Sequence, residues 1–248
     1  EVESRRTHRR EEARERALRE RRTQVYEIAY AKAVLKGFRA HLKKTYGEYI
    51  RAWRVVLSPS DAMVLPRTAF MRACAELGFH TEARAIWRAL GKDEVGVLSL
   101  DELDTASAIA LAQFQAFVTE RFGSAAEAFR SLARPGAKKL RQKEFLGALE
   151  TLGFGHPAKK LFHGLDRHGQ RFLMEEDLLF LDHWKPPAFL LAVPSPQAVV
   201  EIKAMLLKEH GSFIQAWRRG IDLNNTNRCD WHEFTEACRR LEFRGDVP

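Results

Sequence analysis

The chain has 248 residues, 45% hydrophobic and 30% charged, with a formal charge of +8. That length and composition bury a core of one or two domains, and no apolar run approaches the roughly 18 to 20 residues needed to span a bilayer. A transmembrane protein is therefore excluded from the expectations. No basic start followed by a short apolar stretch reads as a secretory leader, although a chain that opens on Glu1 gives that absence little weight. The cysteines Cys74, Cys229 and Cys238 lack metal-type spacing and are expected as free thiols in a reducing compartment. The expected location is intracellular, cytoplasmic or cytoskeletal, with organelle targeting left open.

The first predicted element is a long basic helix over residues 1–41. Residues 1–50 hold 14 Lys and Arg against 8 Asp and Glu, so +6 of the +8 lies there. The stretch "SRRTHRREEARERALRERRTQ" has no Gly or Pro, and Glu12 with Arg16 and Glu15 with Arg19 have the spacing and order that favour intrahelical pairing. Leu18, Val25, Ile28, Leu35 and Leu42 fall on or near one face. Such a helix is either a solvated, self-paired rod or an arm for nucleic acid or another acidic surface.

Three later stretches overlay with the same landmarks. They are "KTYGEYIRAWRVVLSPSDAMVLPRTAFMRACAELGF", "ERFGSAAEAFRSLARPGAKKLRQKEFLGALETLGF" and "EHGSFIQAWRRGIDLNNTNRCDWHEFTEACRRLEF". Gly47, Gly123 and Gly211 correspond, as do Trp53, Phe129 and Trp217, and Phe70, Phe145 and Phe234. Each reads as helix, loop of about twelve residues, helix. Two further units of this kind, "HTEARAIWRALGKDEVGVLSLDEL" and "HPAKKLFHGLDRHGQRFLMEEDLL", follow the first and second copies. The loops one to five are residues 58–69, 91–102, 134–144, 166–177 and 222–233.

Loop five is the most informative, because an oxygen-bearing side chain stands at nearly every second position. Asp222 takes position 1, Asn224 position 3, Thr226 position 5, Asp230 position 9 and Glu233 position 12, with the Arg228 carbonyl at position 7. Asn227 stands at position 6, where the turn demands a left-handed residue, a conformation that Asn tolerates. On this loop and the repeats the chain resembles the EF-hand superfamily over almost everything after residue 41. The "AWR", the "NR" before the second helix and the "EACRRLEFRGD" ending resemble multi-EF-hand repeat proteins common in alveolate protists. The resemblance implies an all-α fold of tandem EF-hand pairs behind the basic helix, and calcium in loop five alone.

The other loops are poor in ligands. Loop one ends in Ala69 and puts Ala62 and Val64 at ligand positions; loop three, read as one residue short, carries Arg134, Lys138 and Lys139. Loop two has Gly91 and Val95 at positions 1 and 5, while its Ser99 and Glu102 are spaced as a helix capping box. Loop four keeps Asp166 and Asp177 but has His168, Arg171 and Met174 at positions 3, 6 and 9. Asp230 and Glu233 in loop five are also spaced as a capping box.

Pairing of hands implies that Leu65 faces Leu98 and Leu140 faces Leu173. The expected divisions are 1–41, the basic helix; 42–110 and 111–184, two hand pairs; 185–198, a Pro-rich connector with Ser195 and Pro196 opening a helix; and 199–248, a fifth hand. After Phe79 and Phe154 a further hand begins, so the fifth hand is expected to be the first half of a longer pair. No nucleophile motif or phosphate-binding glycine loop appears, and the irregularly spaced His156, His163, His168 and His183 do not read as a zinc site. The expectation is a non-catalytic interaction scaffold for protein partners, within a larger assembly, with calcium responsiveness in the fifth hand. The alternative is a nucleic-acid or acidic-surface binder acting through the basic helix, with the hands structural.

Overall fold

In the computed structural model, residues 2–92, 96–224, 227, 229 and 231–245 are described, with side chains from residue 14 onward. These residues are mostly helical, with four short strands in two antiparallel ladders. Contacts divide the chain into two units, Glu1–Pro186 and Pro187–Pro248.

The first unit opens on α1 (Val2–Tyr46). Its apolar stripe splits in two. Leu18, Val25 and Ile28 are exposed, whereas Ala31, Leu35, Phe38 and Leu42 are buried. The core therefore begins at Ala31, about ten residues before the expected lobe start at 42, because the last four turns of α1 pack on α4 (Ala83–Ala89). Phe38 meets Phe70 and Phe79 edge-on at 5.9 and 5.3 Å. Deleting residues 1–22 removes a segment whose described side chains are exposed, so thermal stability should stay within about 0.5 kcal/mol. A larger loss by thermal denaturation would show that the arm packs on the body.

Gly47, with φ +79°, breaks α1 and starts α2 (Tyr49–Ala52), which runs into a π-helical turn at Trp53–Leu57. Strand β1 (Val64–Pro66) then leads into α3 (Arg67–Glu76). After α4 comes β2 (Val97–Ser99), followed by α5 (Leu100–Leu103) and α6 (Thr105–Phe122). The second half repeats the plan with α7 (Ala125–Leu132), β3 (Leu140–Arg141), α8 (Gln142–Thr151), α9 (Ala158–Leu165), β4 (Phe172–Leu173) and the short α10 (Phe180–His183). Leu65 pairs with Leu98 and Leu140 with Leu173, the registers expected from the resemblance. Below each ladder lie aromatic cores: Phe70 against Trp87, and Phe145 against both Phe114 and Phe162. Trp53, Phe70, Trp87, Phe129, Phe145 and Phe162 are buried, while Phe79 and Phe154 are half-buried at the rim.

Loop three is not short. In the first repeat the helix ends with Ser58 N–H donating to the Trp53 carbonyl, five residues back; in the second, Ala133 N–H donates to Phe129, four residues back. The missing residue is the one a π turn absorbs. Loop three is therefore a full twelve residues from Ala133 to Glu144, with Leu140 at the pairing position.

Nor do contacts divide at 110/111. That point falls inside α6, which serves both halves, and α2 packs on α9. Ile50 sits on Gly164, where a Cβ would lie 2.9 Å from the Ile50 Cβ. Gly164→Leu should cost about 1 to 3 kcal/mol through overpacking, and Ile50→Ala beside it should recover part of the loss in urea unfolding. Additive losses would contradict this contact.

The second unit consists of a short 3-10 turn at Ala188–Leu190, α11 (Pro196–His210), α12 (Phe213–Ala216) with a π turn at Trp217–Ile221, and α13 (Trp231–Arg240). Ser195 Oγ accepts from Ala198 N–H at 3.2 Å, the cap expected before Pro196. In the connector Leu190 is buried, but Phe189 is exposed and stacks at 5.9 Å on Trp231. Gly211 has φ +73°, and Asp222 N–H donates to the Trp217 carbonyl, so the kink and π turn of the first repeat recur.

Candidate metal centre in loop five

The π turn at Trp217–Ile221 delivers Asp222 to the end of the incoming helix with its side chain inside. Asp222 is 1% exposed. Its Oδ2 accepts from the backbone N–H of Asn227 at 2.7 Å and from Trp217 Nε1 at 3.2 Å. Asn227 holds φ +57°, the left-handed position expected at the sharp turn. Across the loop, Asn224 Nδ2 donates to Glu233 Oε1 at 2.6 Å. Position 1 is thus buried at the turn, and positions 3 and 12 are linked across the loop. Thr226, Arg228 and Asp230 lie outside the described residues, so the donors expected at positions 5, 7 and 9 and the Asp230–Glu233 capping box are not placed.

Loop four repeats the first part of this geometry. Asp166 is buried and accepts from Gln170 N–H at 3.0 Å and Arg171 N–H at 2.8 Å, and Arg171 holds φ +64°. At position 12, Asp177 accepts from Met174 N–H at 2.9 Å and so caps the following turn. Burial raises the Asp177 carboxyl above the ordinary carboxylate range, with the Met174 amide and the charge of Arg54 working against it.

Loops two and three use their closing glutamates differently. Glu102 Oε2 accepts from Ser99 N–H and Oγ at 3.0 and 3.1 Å, the expected capping box, and Lys92 Nζ pairs with Oε1. Glu144 accepts from Arg141 N–H at 3.0 Å and is ion-paired with Arg134 Nε at 2.6 Å. In both, an ammonium or guanidinium from the start of the loop stands on the carboxylate that would clamp a metal. Val95, named for loop two, lies outside the described residues. In loop five the amide of Asn224 donates to the closing carboxylate. An amide carries an oxygen as well as two donors, and rotation of its plane presents that oxygen to a cation.

No group of three or more His, Cys, Asp or Glu gathers as a metal cluster among the described residues. An oxygen set mixing carboxylates, amide and backbone carbonyl is nonetheless the donor chemistry that calcium takes. His163 Nε2 lies 3.1 Å from Gln142 Nε2. Cys74 and Cys238 are buried and Cys229 half-buried, all three as free thiols; burial pushes the Cys74 thiol to about 12, far from a reactive thiolate.

What sequence reading missed lies at the opposite end of the first repeat. Arg54 is buried, with Nε and Nη2 on the two carboxylate oxygens of Asp61 at 2.8 and 3.3 Å and Nη1 on the Leu165 carbonyl at 3.0 Å. Phe180 lies under the guanidinium at 4.0 Å. Arg167 Nη1 reaches the same Asp61 at 3.2 Å, so loop one is fastened to loop four by ions of the protein itself. The available signal was Asp61 in a loop otherwise devoid of acids. No helix among the described residues is long and apolar enough to cross a membrane. Comparison with protein-family profiles, curated proteins and solved structures finds no match.

Proposed function

We propose that this chain is a non-catalytic EF-hand scaffold in which the paired repeats of the first unit hold their shape without metal and loop five binds calcium. The observation that carries this reading is the buried Asp222 tied to the left-handed Asn227 at the turn of loop five, with Asn224 bonded across the loop to Glu233. With few carboxylates and a basic neighbourhood, loop five fits a sensor-strength or weaker site. Its partners are proteins, within a larger assembly.

Thermal unfolding in excess calcium and in excess chelator tests the division of roles. Calcium at about 100 times Kd should add about 2.7 kcal/mol to whatever folds around loop five. The transition of the first unit should not move. A first unit that melts on chelation would overturn the scaffold half of the proposal.

A second reading draws on α1, where Lys32, Lys36, Arg39 and Lys43 fall on one helical face and line a groove beside Tyr49. On that reading the chain holds an acidic surface or nucleic acid through this face. Its binding should then weaken steeply with salt, whereas an apolar scaffold contact should not.

A further inference from the structure

In the first unit, α2 clasps the end of α9 through three residues. Ile50, 3% exposed, seats on Gly164; Arg51 Nε donates to the Arg167 carbonyl at 3.3 Å and Arg54 Nη1 to the Leu165 carbonyl at 3.0 Å. An apolar knob fills the space left by a glycine, and two guanidinium groups satisfy carbonyls at a helix C-terminus, where both hydrogen bonding and the helix dipole favour cations.

The same three positions read differently in the other repeats. The second repeat has Ala126, Glu127 and Arg130, and Arg130, 61% exposed, pairs with Glu127 at 2.5 Å, the arrangement of a face in water. The third repeat has Ile214, Gln215 and Arg218. It keeps the β-branched knob and an arginine, has no acid, and offers a side-chain amide as the second donor. Its backbone also copies the first repeat, with the glycine kink and the π turn at matching places. Yet Ile214 is 71% and Phe213 52% exposed, and Arg218 is exposed as well. The third repeat thus carries the side chains of the covered face on a face that is open.

We propose that Phe213, Ile214, Gln215 and Arg218 form a docking surface for the C-terminal turn of an amphipathic protein helix that carries a glycine at its point of contact. This inference rests on the repeats and not on the calcium reading, and it holds with loop five empty or filled.

A peptide of residues 156–168, HPAKKLFHGLDRH, is the probe, titrated into the isotope-labelled full chain while amide shifts are followed. Saturable binding with a Kd of about 10⁻⁴ M is expected, with shifts centred on 212–219. Ile214→Glu should weaken it by at least about tenfold, about 1.4 kcal/mol, as should Gly164→Leu in the peptide, while Ala126→Glu in the chain should leave it unchanged. Ile214→Glu alters an exposed position, and an unchanged spectrum elsewhere verifies the fold. The absence of saturable binding at about ten times that concentration, or equal binding by the Ile214→Glu chain, would overturn the proposal.

Discussion

Replacing Arg54 with alanine should cost the first unit about 3 kcal/mol or more. Arg54 is 1% exposed and satisfies both Asp61 oxygens and the Leu165 carbonyl, so its removal strips two elements of a partner in a site that water does not reach freely. Asp61 holds φ +59°, a left-handed conformation that a non-glycine residue keeps only when its surroundings fix it. The fixing groups are Arg54 and Arg167. Arg54→Lys should recover little, because an ammonium cannot grip two carboxylate oxygens and a carbonyl in one plane. Arg130→Ala and Arg218→Ala, at the same repeat position but exposed, should each stay within about 0.5 kcal/mol. Urea unfolding of the four variants checks this, and equal losses in the three alanine variants would show that the buried network carries no special weight.

Glu233→Gln should reduce calcium affinity at loop five by at least about tenfold. The substitution removes charge and the two-oxygen clamp while keeping the side chain's size, and its amide can still bond Asn224. Asn227→Gly should have a smaller effect and the opposite sign, since Asn227 already holds φ +57° and glycine only eases that turn. Equal affinity in Glu233→Gln and the parent, read by calorimetry, would place the cation elsewhere or nowhere.

The helices, the five loops and the two strand registers were legible because each rests on local chemistry. Glycines mark the kinks, alternate polar residues mark loop five, and a leucine at the same place in loops one to four marks the ladders. Leu65 with Leu98 and Leu140 with Leu173 are the pairs that the resemblance, in which such loops pair, implies. The apparent deletion in loop three was misplaced because a sequence does not reveal whether a helix ends in a π or an α turn. Arg54 was illegible for a deeper reason. The same arginine follows the aromatic residue in all three repeats, and only the arrival of α9 against one of them decides which is buried. Ile50 and Gly164 are likewise a pair across 114 residues that no local pattern announces. At loop five, Asn227 was legible as the turn residue. The link between Asn224 and Glu233 depends on how α13 returns across the loop.

Calcium titration of the full chain by isothermal calorimetry tests the central claim most directly. One site per chain is expected, with a Kd between about 10⁻⁷ and 10⁻³ M, lost or strongly weakened in Glu233→Gln and retained in the Asp166→Asn control of loop four. No binding heat at millimolar calcium, confirmed at a second temperature, would contradict the account and leave loop five as a capped turn between two helices.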